Sequence, residues 1–184
     1  MIRFGTGGWR EIIGVDFIEA NVKFVAEGIY KLAIEQNKFN KPIVIGYDNR
    51  FLSDKAALWI TEVLTSHGIV VWLINQPVPT PLTMHMVKKN NLYWGIEVTA
   101  SHNHYMYNGI KLFVEEGRDA PVEITNRLEV LINTSSDISS MPYNKALQQG
   151  LIKLIKTPFN AFVDDIISVL KVDAIKKNGV ENSD

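Results

Sequence analysis

The chain has 184 residues, 46% hydrophobic and 21% charged, which suits one domain or one domain plus part of a second. Its net charge of −1 argues against nucleic-acid binding by the whole chain, because that function needs a positive surface. The absence of cysteine excludes disulfides, thiolate catalysis and cysteine-ligated metals. With neither a signal peptide nor an apolar run long enough to span a membrane, we expect a cytoplasmic protein without a membrane partner.

Predicted strands and helices alternate along the chain. Short apolar runs predict strands at 2–4, 43–47, 69–74, 93–98 and 109–114. Helical periodicity predicts helices at 18–37, 53–67, 82–89 and 121–132. Asp16 and Ser53 are predicted caps of the first two helices, and Asn108-Gly109 is a predicted turn. Because no helix separates the last two strands, we expect an α/β fold of three layers, α/β/α, around a mixed, mostly parallel sheet.

The composition changes after residue 134, where a polar, serine-rich stretch is typical of a linker. We therefore predict a first domain at 1–135, a linker at 136–152 and the truncated start of a second domain at 153–184. The last segment has a helical pattern, and the sequence offers no obvious partner for its apolar face. That face consists of Phe159, Phe162, Val163, Ile166 and Ile167. We expect the natural protein to continue beyond Asp184.

The most informative segment lies between two predicted strands. The apolar strand at 93–98 leads into Thr99-Ala100-Ser101, and polar residues follow up to the next strand. Loops at strand ends often hold functional groups, although Ser-His-Asn alone is typical of an ordinary hairpin loop. Lys111 is costly to bury in its apolar strand unless it is paired. Its ammonium either reaches an anion on Ser101 or faces solvent from an edge strand.

Two further segments are candidates for anion binding. In Thr6-Gly7-Gly8-Trp9-Arg10, glycines permit close approach of an anion to the backbone, and arginine grips phosphate oxygens in a fork. An ordinary glycine turn is the alternative. Tyr47-Asp48-Asn49-Arg50 directly follows a buried strand, and its Asp–Arg pair is open to a structural or a functional interpretation.

The sequence disfavours two other kinds of site. A serine hydrolase is disfavoured because Ser101 is not in a G-x-S-x-G elbow and His102 adjoins it in sequence. A metal site made by protein ligands alone is disfavoured because no acidic cluster or cysteine accompanies the histidines, which are His67, His85, His102 and His104.

Four motifs in this order resemble the α-D-phosphohexomutase family, which includes phosphoglucomutases, phosphomannomutases and phosphoglucosamine mutases. Thr99 to Asn103, followed by Tyr107 to Lys111, resembles its active-site loop. The other three motifs lie at 4–10, 46–50 and 77–81, so the resemblance covers residues 1–114.

The resemblance implies domain I of an isomerase that acts as an intramolecular phosphotransferase on a hexose phosphate. Four domains surround one cleft in such enzymes, and the serine that carries the phosphoryl group corresponds to Ser101. The phosphoserine and a bisphosphate intermediate move phosphate between C1 and C6. Glucose 1,6-bisphosphate or a similar activator primes the serine, and Mg²⁺ bridges its phosphate and three aspartates of domain II.

The resemblance also assigns roles to residues. Besides Ser101, the implied catalytic residues are Lys111 and Arg10, which neutralise the transferring phosphate near the acid–base step, and His102, which flanks the phosphoserine. The implied substrate- or phosphate-binding residues are Thr6, Asn103 and Asn108. Asn103 and Asn108 also shape the loop.

Two residues depart from the family pattern. His104 stands where proline usually stiffens the loop, and Glu11 stands where glycine is common. Because domains II to IV would supply the metal ligands, the sugar selection and the second phosphate site, we expect no turnover from this chain alone. The N-terminal motif favours glucose or mannose as the sugar. A non-catalytic phosphate-binding or assembly module is the alternative function.

Overall fold

A computed structural model describes residues 2–5 and 7–170 and contains a seven-stranded sheet. The strands are β1 (Trp9–Ile12), β2 (Ile43–Tyr47), β3 (Val71–Ile74), β4 (Gly95–Val98), β5 (Tyr107–Val114), β6 (Arg118–Asp119) and β7 (Ile152–Ile155). The helices are α1 (Glu19–Glu35), α2 (Ser53–Ser66), α3 (Thr80–Lys89), α4 (Val122–Asn133), α5 (Tyr143–Gln148) and α6 (Pro158–Val169). A 3₁₀ turn, Glu115–Gly117, joins β5 to β6.

The sheet is mixed, as predicted. Its order is β1-β5-β4-β2-β3-β7, with β6 beside β5. Strands β4, β2, β3 and β7 run parallel, whereas β5 is antiparallel to both β1 and β4. The antiparallel pair expected between β4 and β5 is therefore present, and β1 extends the sheet on the far side of β5.

Helices cover both faces of the sheet, which gives the three predicted layers. Side chains alternate between the two faces of β2. Ile43 and Ile45 lie in one buried cluster with α1, α2 and α4, and Val44 lies in a second cluster with α3. Since both faces are buried, β2 is apolar throughout its buried length. None of the described helices is both long and apolar enough to cross a bilayer.

Several predicted elements were wrong in detail. Residues 2–4 form no strand, and the first strand is β1, in which Trp9 is buried. Asn108-Gly109 lies inside β5 instead of in a turn, because both residues pair with β1. Ile18 is the residue that precedes α1, and no side chain caps either α1 or α2.

The segment predicted as a linker is partly structured. Residues 135–140 have no regular structure, but α5 follows and β7 adds to the edge of the sheet beside β3. Helix α6 packs against α3, where Phe162 contacts the second buried cluster and its ring lies 5.2 Å from that of His85. The predicted apolar face of α6 is thus partly covered. The helix predicted beyond residue 170 lies outside the described residues, and the domain boundaries stay predictions.

Candidate functional site

The site is built where β4 ends and β5 begins. Residues 99–106 connect these strands, and together with Tyr107, the first residue of β5, they form what we call the serine loop. The loop after β2, residues 48–52, lies against it. This is the edge of the sheet at which parallel strands β2 and β4 present their carboxyl ends, the usual location of sites in α/β folds.

Ser101 lies at an exposed position of the serine loop and has a left-handed backbone, with φ of 57°. A non-glycine residue adopts this conformation only when its surroundings hold it. The Ser101 N–H donates to Thr99 Oγ1 at 2.9 Å, and the Asn103 N–H donates to the carbonyl oxygen of Ala100 at 3.0 Å. These bonds form a tight turn that leaves the Ser101 side chain on the surface.

The two histidines of the serine loop are exposed. His102 Nδ1 is 3.4 Å from Ser101 Oγ, so the imidazole flanks the hydroxyl. The His104 ring lies beside that of Tyr105, with centroids 4.2 Å apart and planes tilted by 40°. Ser101, His102 and Asn103 thus lie at the end of β4, and the roles assigned to them stay predictions.

Arg50 makes more bonds to the serine loop than any residue predicted for the site. Its Nη1 donates to the carbonyl oxygens of His104 (3.0 Å) and Tyr107 (2.9 Å). Its Nη2 donates to the carbonyl oxygens of Ser101 (2.8 Å) and Asn103 (2.7 Å). The Asp–Arg pair after β2 was the signal in the sequence, but nothing there identified the partners of Arg50.

A network of partly and fully buried polar side chains also holds the loop after β2. Asp48 Oδ1 accepts hydrogen bonds from the Arg50 N–H (2.9 Å) and from Ser53 Oγ (2.8 Å). Asn108, which is fully buried, donates from Nδ2 to Ser53 Oγ (2.9 Å) and to the Phe51 carbonyl oxygen (3.0 Å). Because both Nδ2 hydrogens are used in this way, the geometry of Asn108 suits a residue that shapes the loop.

Arg10 lies beside the base of the serine loop. It faces Gly109 across the β1–β5 pair, and the Gly109 carbonyl oxygen accepts the Thr99 N–H at 2.9 Å. Arg10 Nη2 donates to the Gly7 carbonyl oxygen at 3.2 Å, whereas its buried Nε has no partner among the described residues. Thr6, the other predicted residue of this segment, lies outside the described residues.

Lys111 does not lie on an edge strand, because β5 is flanked by β1 and β4. Its side chain is only 15% exposed, and Nζ lies 2.8 Å from Asp119 Oδ1. A phosphate on Ser101 would therefore have to compete with Asp119 for this ammonium. In this structure Lys111 is paired with a carboxylate of β6, and its predicted reach to an anion on Ser101 stays a prediction.

Glu97 was not predicted as part of the site, although it faces Lys111 across the β4–β5 pair. It is fully buried, and Oε2 accepts a hydrogen bond from Thr83 Oγ1 at 2.5 Å. Burial, with a smaller effect from the charge of Asp48, raises the pKa of Glu97 from 4.5 to about 8, against the opposing effects of Thr83 and Lys111. The sequence shows a glutamate in an apolar strand but not how deeply it is buried.

An open cavity of about 520 Å³ adjoins the serine loop and is lined by Asp48, Asn49, Arg50, Phe51, Asn103 and Tyr105. Two of its residues are exposed aromatics, Phe51 and Tyr105. Among residues 2–5 and 7–170, no three histidine or acidic side chains converge to hold a metal ion. The described residues therefore offer no set of three such ligands that would hold Mg²⁺ without other groups.

Residues 1–139 match the family described as phosphoglucomutase/phosphomannomutase, alpha/beta/alpha domain I. A phosphoglucosamine mutase of Finegoldia magna is 35% identical over 136 residues, covering 73% of this chain and 29% of that protein. A phosphoglucomutase of Staphylococcus haemolyticus is 32% identical over 177 residues, covering 92% of this chain and 32% of that protein.

A crystal structure from Thermus thermophilus, described provisionally as a phosphomannomutase, superposes with a TM-score of 0.82 and 28% identity. That match covers 94% of this chain and 37% of the other. The chain thus spans about a third of the length of the relatives that it matches.

Proposed function

Because the chain belongs to the phosphoglucomutase/phosphomannomutase family, we propose that it is the domain of a hexose-phosphate mutase in which Ser101 carries the phosphoryl group. The observation that carries this proposal is the position of Ser101. Its side chain is exposed at the carboxyl end of β4, on a loop whose backbone is fixed by hydrogen bonds on several sides. A serine that accepts and donates a phosphoryl group needs both access and a fixed position.

In the proposed reaction, a sugar hydroxyl oxygen attacks the phosphorus on Ser101 as the Oγ–P bond breaks, and the hydroxyl proton passes to a base. The sugar bisphosphate reorients, and Ser101 Oγ takes the other phosphoryl group while a proton returns to the sugar oxygen that is released. Phosphate has then moved between C1 and C6 of the hexose. This step depends mainly on position and on neutralising charge.

We assign the charged residues near the serine loop to that neutralisation. Arg10 pairs with Gly109 beside the start of the loop, and its buried Nε, unpartnered among the described residues, retains an N–H group for a phosphate oxygen. Lys111 would act after its pair with Asp119 breaks. His102 flanks Ser101 Oγ, where it can donate to a phosphoryl oxygen. Asn103 is bound by Arg50 through its main-chain carbonyl oxygen, and Asn108 holds the neighbouring loop after β2 through Phe51 and Ser53.

Mg²⁺ enters this proposal through the resemblance alone. In the described part of the chain, the only ligand that we would assign to it is a phosphate on Ser101, because no group of three acidic or histidine side chains is present there. The sugar is proposed only as a hexose phosphate, since the names of the relatives differ in the sugar.

The test is intact-protein mass spectrometry of a longer protein that carries this domain, incubated with glucose 1,6-bisphosphate and Mg²⁺. We expect wild type to gain one phosphate and Ser101→Ala to gain none. Ser136→Ala, which removes an exposed hydroxyl elsewhere, is the matched control and should behave as wild type. No gain in wild type would contradict the phosphoserine role and favour the alternative, a non-catalytic phosphate-binding or assembly module.

A further inference from the structure

Arg50 holds the serine loop through the main chain alone. Four carbonyl oxygens of one short segment, those of Ser101, Asn103, His104 and Tyr107, lie 2.7–3.0 Å from its two terminal nitrogens. The backbone between residues 101 and 107 is therefore folded around one guanidinium. The Arg50 side chain is only 16% exposed, with its bonds to Tyr107 and Asn103 partly buried and those to Ser101 and His104 at the surface.

Arg50 has as many terminal N–H groups as there are carbonyl oxygens around it, four of each. Nη1 and Nη2 carry two N–H groups each, and each nitrogen serves two of the four carbonyl oxygens. The rest of the residue is fixed as well, because Nε lies 3.5 Å from Asp48 Oδ2 and the Arg50 N–H donates to Asp48 Oδ1. Lysine would supply three N–H groups from a single point and could not reproduce a planar fork.

Apart from the bonds to Arg50, the serine loop is held by short turns within itself and by the Ile13 N–H, which donates to the Met106 carbonyl oxygen at 2.9 Å. Residues 99–107 include no proline to fix φ, and Ser101 has the left-handed φ of 57° that a side chain disfavours. Without the guanidinium, four carbonyl dipoles would converge with no donor between them, which is unfavourable. We expect the loop to open and Ser101 to leave this conformation.

We propose that Arg50 is a positioning residue that fixes the orientation of Ser101 by binding the carbonyl oxygens of the serine loop. Its four terminal N–H groups are all engaged by the loop, so it acts on Ser101 without being a phosphate ligand. That Arg50 affects phosphoryl transfer rests on the proposed function. That Arg50 orders the serine loop does not, so each effect has its own experiment.

The first experiment needs no phosphoryl transfer. Amide hydrogen exchange, resolved by NMR, is measured on the chain as wild type, Arg50→Lys, Arg50→Ala and Arg127→Ala. Arg127 is a matched control because it is an exposed arginine that pairs with Glu35 away from the serine loop. We expect the Asn103 and Tyr107 amides, which donate within the loop, to exchange at least about tenfold faster in both Arg50 variants.

Amides of β2 should remain protected in the Arg50 variants, which shows that the fold is intact, and Arg127→Ala should leave the loop unchanged. Unchanged loop exchange in a folded Arg50→Lys or Arg50→Ala protein would overturn the proposal. Since Arg50→Lys keeps a positive charge near Asp48, it tests the planar fork even if Arg50→Ala fails to fold.

The second experiment follows phosphorylation of Ser101 in the longer protein by glucose 1,6-bisphosphate. We expect Arg50→Ala to lower the maximal rate at least about tenfold with little change in the bisphosphate concentration at half-maximal rate. Added guanidinium ion should restore part of the rate to Arg50→Ala and none to Ser101→Ala. A wild-type maximal rate in Arg50→Ala would overturn the positioning role. So would an effect seen only as a higher bisphosphate concentration at half-maximal rate. If wild type itself takes no phosphate, the proposed function fails, and loop exchange still decides the role of Arg50 in loop order.

Discussion

At the scale of the residue, the raised pKa of Glu97 predicts how the stability of the fold depends on pH. Its folded-state pKa of about 8 exceeds the ordinary 4.5, so the folded protein retains a proton that the unfolded chain loses between these values. The contribution of Glu97 to stability is therefore present at low pH and is lost as pH rises from 4.5 to about 8. The slope has an upper limit of about 1.4 kcal/mol per pH unit.

Glu97→Gln keeps the size of the side chain and removes its titration. We expect the variant to gain stability relative to wild type as pH rises from 5 to about 9, as measured by urea unfolding. Glu123→Gln, an exposed substitution at the start of α4, is the control and should follow wild type. Parallel pH profiles for wild type and Glu97→Gln would contradict a raised pKa.

What the sequence revealed of the site depended on local pattern. Ser101 and its neighbours were found because they follow a recognisable apolar strand. Arg50 was noticed but left open, since its carbonyl partners are more than 50 residues away in sequence and main-chain acceptors leave no residue-type signature. Glu97 was missed because depth of burial depends on α3 and β5, which come from other parts of the chain.

At the scale of the element, the close approach of β1 to β5 explains Gly109. A Cβ at this position would lie 2.2 Å from the Trp9 carbonyl oxygen and 2.9 Å from both Arg10 Cγ and the Thr99 carbonyl oxygen. Backbone atoms on two sides leave no room for a methyl group. The glycine is therefore needed for strand contact, whereas the sequence suggested a turn.

Gly109→Ala should force β1 and β5 apart and lower the free energy of unfolding by about 1–3 kcal/mol, the usual cost of overpacking. Thermal or urea unfolding of the chain measures this. Gly5→Ala is the matched control, because an added Cβ at Gly5 meets no described atom within 4 Å. Equal stability of Gly109→Ala and Gly5→Ala would show that the strands move apart at no cost.

Elements with strong periodicity were predicted well, and those whose formation depends on distant partners were not. Strand β2 and helices α1 and α2 carry their own apolar patterns. Strand β1, with the sequence Trp-Arg-Glu-Ile, lacks a clear alternation and forms because β5 lies beside it. Strand β7 likewise forms at the edge of the sheet beside β3, after a polar stretch that suggested a linker.

At the scale of the whole molecule, the proposed site is open on one side. Ser101 is exposed, and the cavity beside it is bounded by the β2–α2 loop and the serine loop only. Phosphoryl transfer to a sugar in preference to water requires that water be excluded from the phosphoserine. The walls that would exclude it are proposed to come from other domains, consistent with the chain spanning about a third of its relatives.

We therefore predict that the purified chain does not interconvert hexose 1-phosphates and 6-phosphates, whereas a longer protein containing it does. The measurement is a coupled assay for glucose 6-phosphate formation from glucose 1-phosphate, with Mg²⁺ and glucose 1,6-bisphosphate present. The longer protein with Ser101→Ala is the control for contaminating mutase, because it retains every other wall of the cleft. Turnover by the pure chain above that control would mean that one exposed loop suffices, and the role proposed for the other domains would be wrong.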